Sequence, residues 1–352
     1  RYVMGTIFEI TAYGADRDKT VSAVEQSFAA IRQADETLSH YRRESDLMRL
    51  NRSVSQGTVT VGPDLYRVLE KALRFARLSE GAFDVTVGPL VKLWSEAAER
   101  NRAPSEQEII EARRRVGSAT VELLPERQVQ FAQRDLQITL GAIGKGWAVD
   151  RAVAVLKRHG IRHAFVSAGT STIYALGDDG SGDGWEVAVR NPIEGDPLAT
   201  FQIRDQAVST SAAYERYWEI SGKRFGHILD PRSGRPVAGM LSATVVAPTA
   251  TAADAFSTAA YVMGVEQGSA LLRGLKLEGL LAAFPGHGSR ERRIIRRPGT
   301  SALVDCPRDA LTIDSGMSGS KAGPGALKAC ATPPGRSESF GRDGLLETSF
   351  SR

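Results

Sequence analysis

Cysteine is nearly absent from this chain: two residues in 352, Cys306 and Cys330, both toward the C-terminal end. A structural zinc site takes about four Cys or His ligands at close spacing, so two isolated thiols do not make one. Nor do they fix a redox compartment. No apolar run approaches the ~18 residues of a spanning helix, so no transmembrane segment is expected. No basic stripe stands out either. The 45 basic and 41 acidic residues are interleaved, with a formal charge of +4, and no nucleic-acid partner is expected. A G-x-S-x-G elbow is missing, which removes the usual support for a serine hydrolase. The sequence opens on Arg1 and shows no leader, which leaves a trimmed leader or a fragment open and the compartment unassigned.

What is present is ordinary globular composition, 42% hydrophobic and 24% charged, with length enough for a sizeable core. "TIFEITAY" (Thr6–Tyr13) alternates as a strand does. Val21, Val24, Phe28, Ile31 and Leu38 recur at helical spacing. A second helix is marked by Leu65, Val68, Leu69, Ala72 and Phe75, with Asp64 as its expected N-cap. Ser105 and Glu108 form a capping box that opens a third. A short strand is expected near Leu136–Thr139, then a helix from Lys145 to His159 that stops at Gly160. "HAFVS", "STIYAL", "WEVAVR" and "ATFQI" read as strands, with "GDDGSGDG" as a hairpin loop between two of them. That loop is no EF-hand, because Arg190 stands where the twelfth-position glutamate belongs. "SATVVA" is a further strand, followed by a helix over Thr251–Met263. Helices mixed with hairpin-like strands give an α+β class. Residues 1–297 read as the folded domain, and 298–352, rich in Gly, Ser, Pro and Ala, as a low-complexity tail without fixed structure.

Five stretches carry candidate chemistry. In "LGAIGKGWAVD" (Leu140–Asp150) glycines lead into a helix, whose N-terminal amides attract anions, and Lys145 adds a full charge. A phosphate fits there; so does a plain tight turn with a solvated lysine. It is not a Walker loop, since Gly146 stands where Ser or Thr is needed. Asp254 and Thr258 lie four apart on one helix face, where a carboxylate and a hydroxyl can hold Mg²⁺, or where an acid simply offsets the helix dipole. Asp84, inside "GAFDVTVGPLVKLW", is an acid in an apolar run and wants a partner or a ligand, unless it sits on the exposed face of a strand. Met4 and Tyr41 suit a ring pocket or ordinary packing. His227, in "GHILDPRSGRP", is a candidate base or a structural histidine before a turn that Asp230 caps.

In their order along the chain, "MGT", "SHY…SDLMRLN", "GAFDVTVGPLVKLW", "AIGKGWAVD", "VSTS", "HILDPRSGRP" and "ADAFSTAAYVMG" resemble the ApbE family of FAD:protein FMN transferases. The resemblance implies a mixed fold of antiparallel strands and packed helices around a flavin cleft. It implies an enzyme that cleaves the diphosphate of FAD with Mg²⁺, attaches FMN to a Thr or Ser of a flavin-accepting protein domain, and releases AMP. By motif, Met4, Tyr41, Ala82, Phe83, Asp84, Lys145 and Ile228 would contact FAD. Asp254 and Thr258, with the carbonyl of Ala142, would ligate Mg²⁺, and His227 would be the base. The resemblance also points to the bacterial cell envelope. Departures from the family pattern fall at Thr139 and Thr251, where relatives carry acids, at Ala212–Ala213, where Gly-Asp is common, and in "SAGTSTIYALG". They keep two alternatives open: a module that binds FAD without transfer, and a pyrophosphatase that yields FMN and AMP.

Overall fold

The alternation of "TIFEITAY" becomes the strand Thr6–Tyr13, paired on one side with Tyr2–Val3 and on the other with His163–Ala168. In this computed structural model the residues described are 1–191, 197–212 and 216–283, with the backbone of 292–295, 303–305 and 312–314. The main sheet then continues through Thr172–Leu176, Gln206–Ala212, Met240–Ala247, Glu278–Ala283, Arg292–Ile295 and Thr312–Asp314. Its neighbouring pairs are antiparallel except the last. Met240–Ala247 is buried along its whole length, which explains its unbroken apolar run. Ala243, Val245 and Ala247 join the helical core. Leu241 and Val246 join a second core shared with strands Trp185–Val189 and Ala199–Ile203.

The helices are α1 (Arg17–Leu38), α2 (Asp46–Ser53), α3 (Pro63–Leu78), α4 (Gly88–Glu99), α5 (Glu106–Arg113), α6 (Gly144–Arg158) and α7 (Ala250–Gly274). Their mixture with antiparallel strands is the α+β class expected. Ala152 and Leu156 of α6, Ile31 of α1 and Ala259 of α7 are wholly buried in one cluster against the sheet. Each such aliphatic side chain contributes about 1.5–3 kcal/mol on leaving water if it is the size of Leu or Ile.

Helices α6 and α7 meet at their N-terminal ends, and Gly146 makes the meeting possible. A β-carbon there would stand 2.2 Å from the Ala250 carbonyl oxygen and 2.8 Å from the Thr251 α-carbon. The two ends cap each other. Asp150 of α6 accepts the Ala250 N–H at 2.8 Å, the Thr251 N–H at 2.9 Å and the Thr251 hydroxyl. Asp254 of α7 accepts the Gly146 N–H at 2.9 Å. Each carboxylate thus satisfies amides that a helix terminus leaves without an internal partner.

The sequence reading holds for the capping box at Ser105 and Glu108, and for the stop of α6, where His159 caps and Gly160 takes φ 76°. Four expectations are corrected. Gly62, not Asp64, precedes α3, because Pro63 supplies the preset φ of a first helical residue and moves the start back; Asp64 lies in the first turn. Leu136–Thr139 is no strand. The side chain of Asn51 occupies its peptide edge, donating to the Ile138 carbonyl at 2.9 Å and accepting its N–H at 2.8 Å, and only a Val87–Gln137 bridge remains. "GDDGSGDG" crosses between sheets instead of closing a hairpin, since Thr172–Leu176 and Trp185–Val189 each pair with other strands. Helix α7 runs on past Met263, broken at Gly264, where φ is 76°. Residues 1–315 group as one unit and 316–352 as another. The tail read from 298 onward lies outside the described residues, apart from the backbone of the strands 303–305 and 312–314.

Gly146→Ala should destabilise the chain by about 3 kcal/mol, the upper part of the range for forcing a methyl group into packed backbone. Urea unfolding measures it; a loss below about 0.5 kcal/mol, the size of an ordinary surface change, would mean the helices do not approach this closely.

Candidate active site

At the start of α6 the backbone hydrogen bonds are redistributed. Gly144 N–H donates to Leu140 at 2.8 Å and Trp147 N–H to Ile143 at 3.0 Å. Between them, Gly146 N–H turns to Asp254, so the Ala142 carbonyl loses the donor that a regular helix would give it. Among the described residues nothing else donates to that carbonyl. Asp254 is 5% exposed, and its second carboxylate oxygen takes no donor from the described residues. Burial pushes its pKa up. Lys145 and the Gly146 amide pull the other way, and the nearby Asp150 pushes it further up. Lys145 donates to the Ser171 hydroxyl. One turn beyond Asp254, the Thr258 hydroxyl lies 3.1 Å from Ser211, which also meets Ser257 at 2.9 Å. A buried acid, a bare carbonyl and an ammonium therefore lie at the meeting of the two helix N-termini, with the Thr258 hydroxyl one turn further along α7. Among the described residues no three His, Cys, Asp or Glu side chains cluster as a metal cage. What is present instead is a mixed set of hard oxygen donors, the kind a magnesium ion takes while keeping several waters.

Met4 reaches the same place from the first hairpin. It occupies a two-residue turn between the Val3–Thr6 pair, with φ 54°, and Gly5 follows at φ 74°. Positive φ suits glycine; a methionine there costs about 1–2 kcal/mol and marks a residue held for its position. Its ε-methyl lies 3.4 Å from where a β-carbon on Gly144 would stand, beside Lys145. Tyr41 is 68% exposed, and its ring lies 3.8 Å from that of His40, centroid to centroid. Burial first, then the charge of Arg216, lowers the His40 pKa.

His227 is fixed through its backbone and its ring. Its Nδ1 lies 2.9 Å from the Arg216 carbonyl, and its N–H donates to the same oxygen at 3.3 Å. A carbonyl only accepts, so Nδ1 carries the proton and Nε2 of the neutral ring holds the basic lone pair. The following turn is rigid. Asp230 accepts the Arg232 N–H at 2.9 Å, and Gly234 donates to the Asp230 carbonyl at 2.7 Å, so Asp230 does cap the turn as its sequence suggests. Trp94 donates to the Gly234 carbonyl at 3.0 Å. Ile228 is buried in the main core.

Lys145 and Asp254 are thus coupled directly, with Ala142 just before α6, Met4 beside Gly144, and Thr258 one turn past Asp254 within α7. His227 joins through Arg216, whose guanidinium Nη2 comes 3.9 Å from the β-carbon position of Gly5. The segment Ala82–Asp84 sits differently. Ala82 and Phe83 are core side chains. The acid that seemed to want a partner or ligand has four partners: Asp84 accepts the Thr86 N–H at 2.7 Å and hydroxyl at 2.6 Å, and the Ser118 N–H at 2.9 Å and hydroxyl at 2.8 Å. This loop meets the site through backbone, where Thr139 N–H donates to Val85 at 2.7 Å. A surface cavity of about 530 Å³ beside Asn51, Pro89 and Gln137 contains none of the candidate residues. Sequence reasoning did not find Asp150, Ser171, Ser211 or Arg216. Ser211 and Asp150 fall inside the quoted motifs; Arg216 has no local signal.

The sequence model of a family described as the ApbE family matches residues 4–283. A protein of Treponema pallidum named FAD:protein FMN transferase is 36% identical over 301 residues, covering 80% of this chain and 83% of its own. One of the same name from Escherichia coli K12 is 32% identical, over 77% and 79%. Among solved structures, the flavin transferase ApbE of Vibrio cholerae superposes with a TM-score of 0.73 at 27% identity, covering 84% of this chain and 95% of that one. The ApbE protein of Thermotoga maritima gives 0.74 at 30%, over 80% and 93%.

In metal-free buffer, Asp254→Asn should gain stability on the wild type as pH rises. The folded wild type holds its proton above the ordinary aspartate pKa, so from about pH 4 upward the unfolded chain ionises first and the wild type loses stability relative to the variant. Unfolding curves of both proteins between pH 4 and 7 test this; a gap that does not change with pH would contradict it.

Proposed function

The chain belongs to the ApbE family, and from that premise we propose how it carries out the family's reaction, the transfer of FMN from FAD to a target protein. The acceptor is a Thr or Ser hydroxyl of a flavin-accepting domain. Its oxygen attacks the phosphorus on the FMN side of the diphosphate, the bond from that phosphorus to the bridging oxygen breaks, and AMP departs with the bridging oxygen. The hydroxyl proton passes to Nε2 of His227, whose opposite nitrogen is committed to the Arg216 carbonyl. Lys145 and the N-terminus of α6 offset charge on the phosphoryl and bridging oxygens. The exposed ring of Tyr41, Met4 and Ile228 take the flavin side, and the Ala82–Asp84 segment contributes backbone.

The residues present fit a magnesium ion. Asp254, Thr258 and the Ala142 carbonyl would hold it, and when bound it supplies Lewis-acid neutralisation of the departing phosphate. The observation that carries this reading is the diversion of the Gly146 amide to Asp254. That one bond leaves the Ala142 carbonyl without a donor and aims a buried carboxylate at the same helix end as Lys145. Thr251 is buried with its hydroxyl on Asp150, as a structural group.

Incubation with FAD, Mg²⁺ and an acceptor domain should yield covalent flavin fluorescence on the acceptor after denaturing electrophoresis, with one AMP released per label. His227→Ala should cut the labelling rate ~10²–10⁴-fold while leaving FAD affinity within a few-fold. An unlabelled acceptor with wild type, or unchanged labelling in the variant, would sink the mechanism. AMP release without labelled protein would instead identify hydrolysis.

A further inference from the structure

Arg216 connects the two halves of the site, yet the mechanism above uses only its backbone. Its guanidinium reaches the Met4–Gly5 turn, with Nη2 3.9 Å from the β-carbon position of Gly5. The Met4 ε-methyl of the same turn lies 3.4 Å from the β-carbon position of Gly144, next in chain to Lys145. A single two-residue turn therefore separates this guanidinium from the N-terminus of α6. Several arginines elsewhere have acids: Arg42 pairs with Asp35, Arg49 with Asp46 and Arg52 with Glu44. Among the described residues the Arg216 guanidinium has no carboxylate within 4.0 Å and donates to no acceptor. It is exposed. Its residue is already pinned, because the carbonyl holds both the ring and the backbone of His227.

We propose that Arg216 is a further substrate-binding residue, whose guanidinium takes a phosphoryl oxygen of the FAD diphosphate on the His227 side, opposite Lys145. The proposal rests on the reading that the diphosphate lies at the start of α6. A planar guanidinium presents paired N–H donors that match phosphate oxygens, and an arginine without an acid keeps them available. Two cations on either side of Met4 would then draw the diphosphate across the turn and bring its FMN phosphorus under the imidazole. The same residue fixes the base through its carbonyl and the electrophile through its side chain.

Arg216→Gln separates these roles, since the carbonyl remains. FAD and riboflavin titrations by fluorescence, and ADP titration by calorimetry, should be run on the full chain for wild type, Arg216→Gln and Arg216→Lys. FAD and ADP should each bind about 10–100-fold more weakly to the Gln variant, the loss of one charge-assisted contact. Riboflavin, which has no phosphate, should bind unchanged, the Lys variant should recover part of the loss, and the pH profile of kcat should keep its shape. Unchanged FAD affinity, equal weakening of riboflavin and FAD, or a rise confined to the KM for the acceptor would each overturn the proposal. A wild type that binds FAD while the Gln variant binds it equally well sinks Arg216 alone. A wild type that binds no FAD sinks the functional reading with it.

Discussion

Two helix N-termini cannot be brought together without cost, because each presents amides with no internal acceptor and the same sign of partial charge. Here the contact of α6 with α7 is resolved by exchange: Asp150 takes the amides of α7 and Asp254 takes the Gly146 amide of α6. The absence of a β-carbon at Gly146 sets how close they come. The rest of the site follows from that crossing. It buries Asp254, strips the Ala142 carbonyl of its donor and points Lys145 toward Ser171.

The two carboxylates are not equivalent. Asp150 has three donors, whereas Asp254 has one and an oxygen to spare. Burial raises the proton affinity of both; the Thr251 and Ala250 donors and then Lys71 ease Asp150, whereas Lys145 and the Gly146 amide ease Asp254 and the charge of Asp150 raises it further. An under-satisfied buried acid is unfavourable in a resting core and useful where a cation and a diphosphate must be drawn in. His227 is held by main chain: the Arg216 carbonyl orients its ring, and the turn after it is closed by Asp230 and Trp94. Chemistry that depends on a hydroxyl, an imidazole and a phosphorus meeting in line needs such rigidity more than it needs many groups.

Periodic elements were readable from sequence because their cause is local. The alternation of Thr6–Tyr13, the Ser105–Glu108 box and the Gly160 stop each depend on residues a few positions apart. The candidates Lys145, Asp254, Thr258 and Met4 were readable through the ordered motifs of the ApbE family; the structure sets Asp254 beside Lys145 and the Met4 methyl beside Gly144, and Thr258 one turn past Asp254. What escaped has its cause at long range. Asn51 replaces a strand neighbour for Ile138 across 87 positions, and so removes a strand that composition suggested. Asp84 reads as an acid in want of a partner in its own stretch, and the Ser118 donors that hold its carboxylate come from 34 positions on. Arg216 carries no pattern; its position between Gly5 and His227 exists only in the fold.

The most direct test of the central claim is a calorimetric Mg²⁺ titration in the presence of saturating ADP, for the wild type and for Asp254→Asn. If the helix crossing builds the cation site, the wild type binds one Mg²⁺ beyond that carried by free ADP and the variant binds none. Equal Mg²⁺ uptake by the two proteins would contradict it.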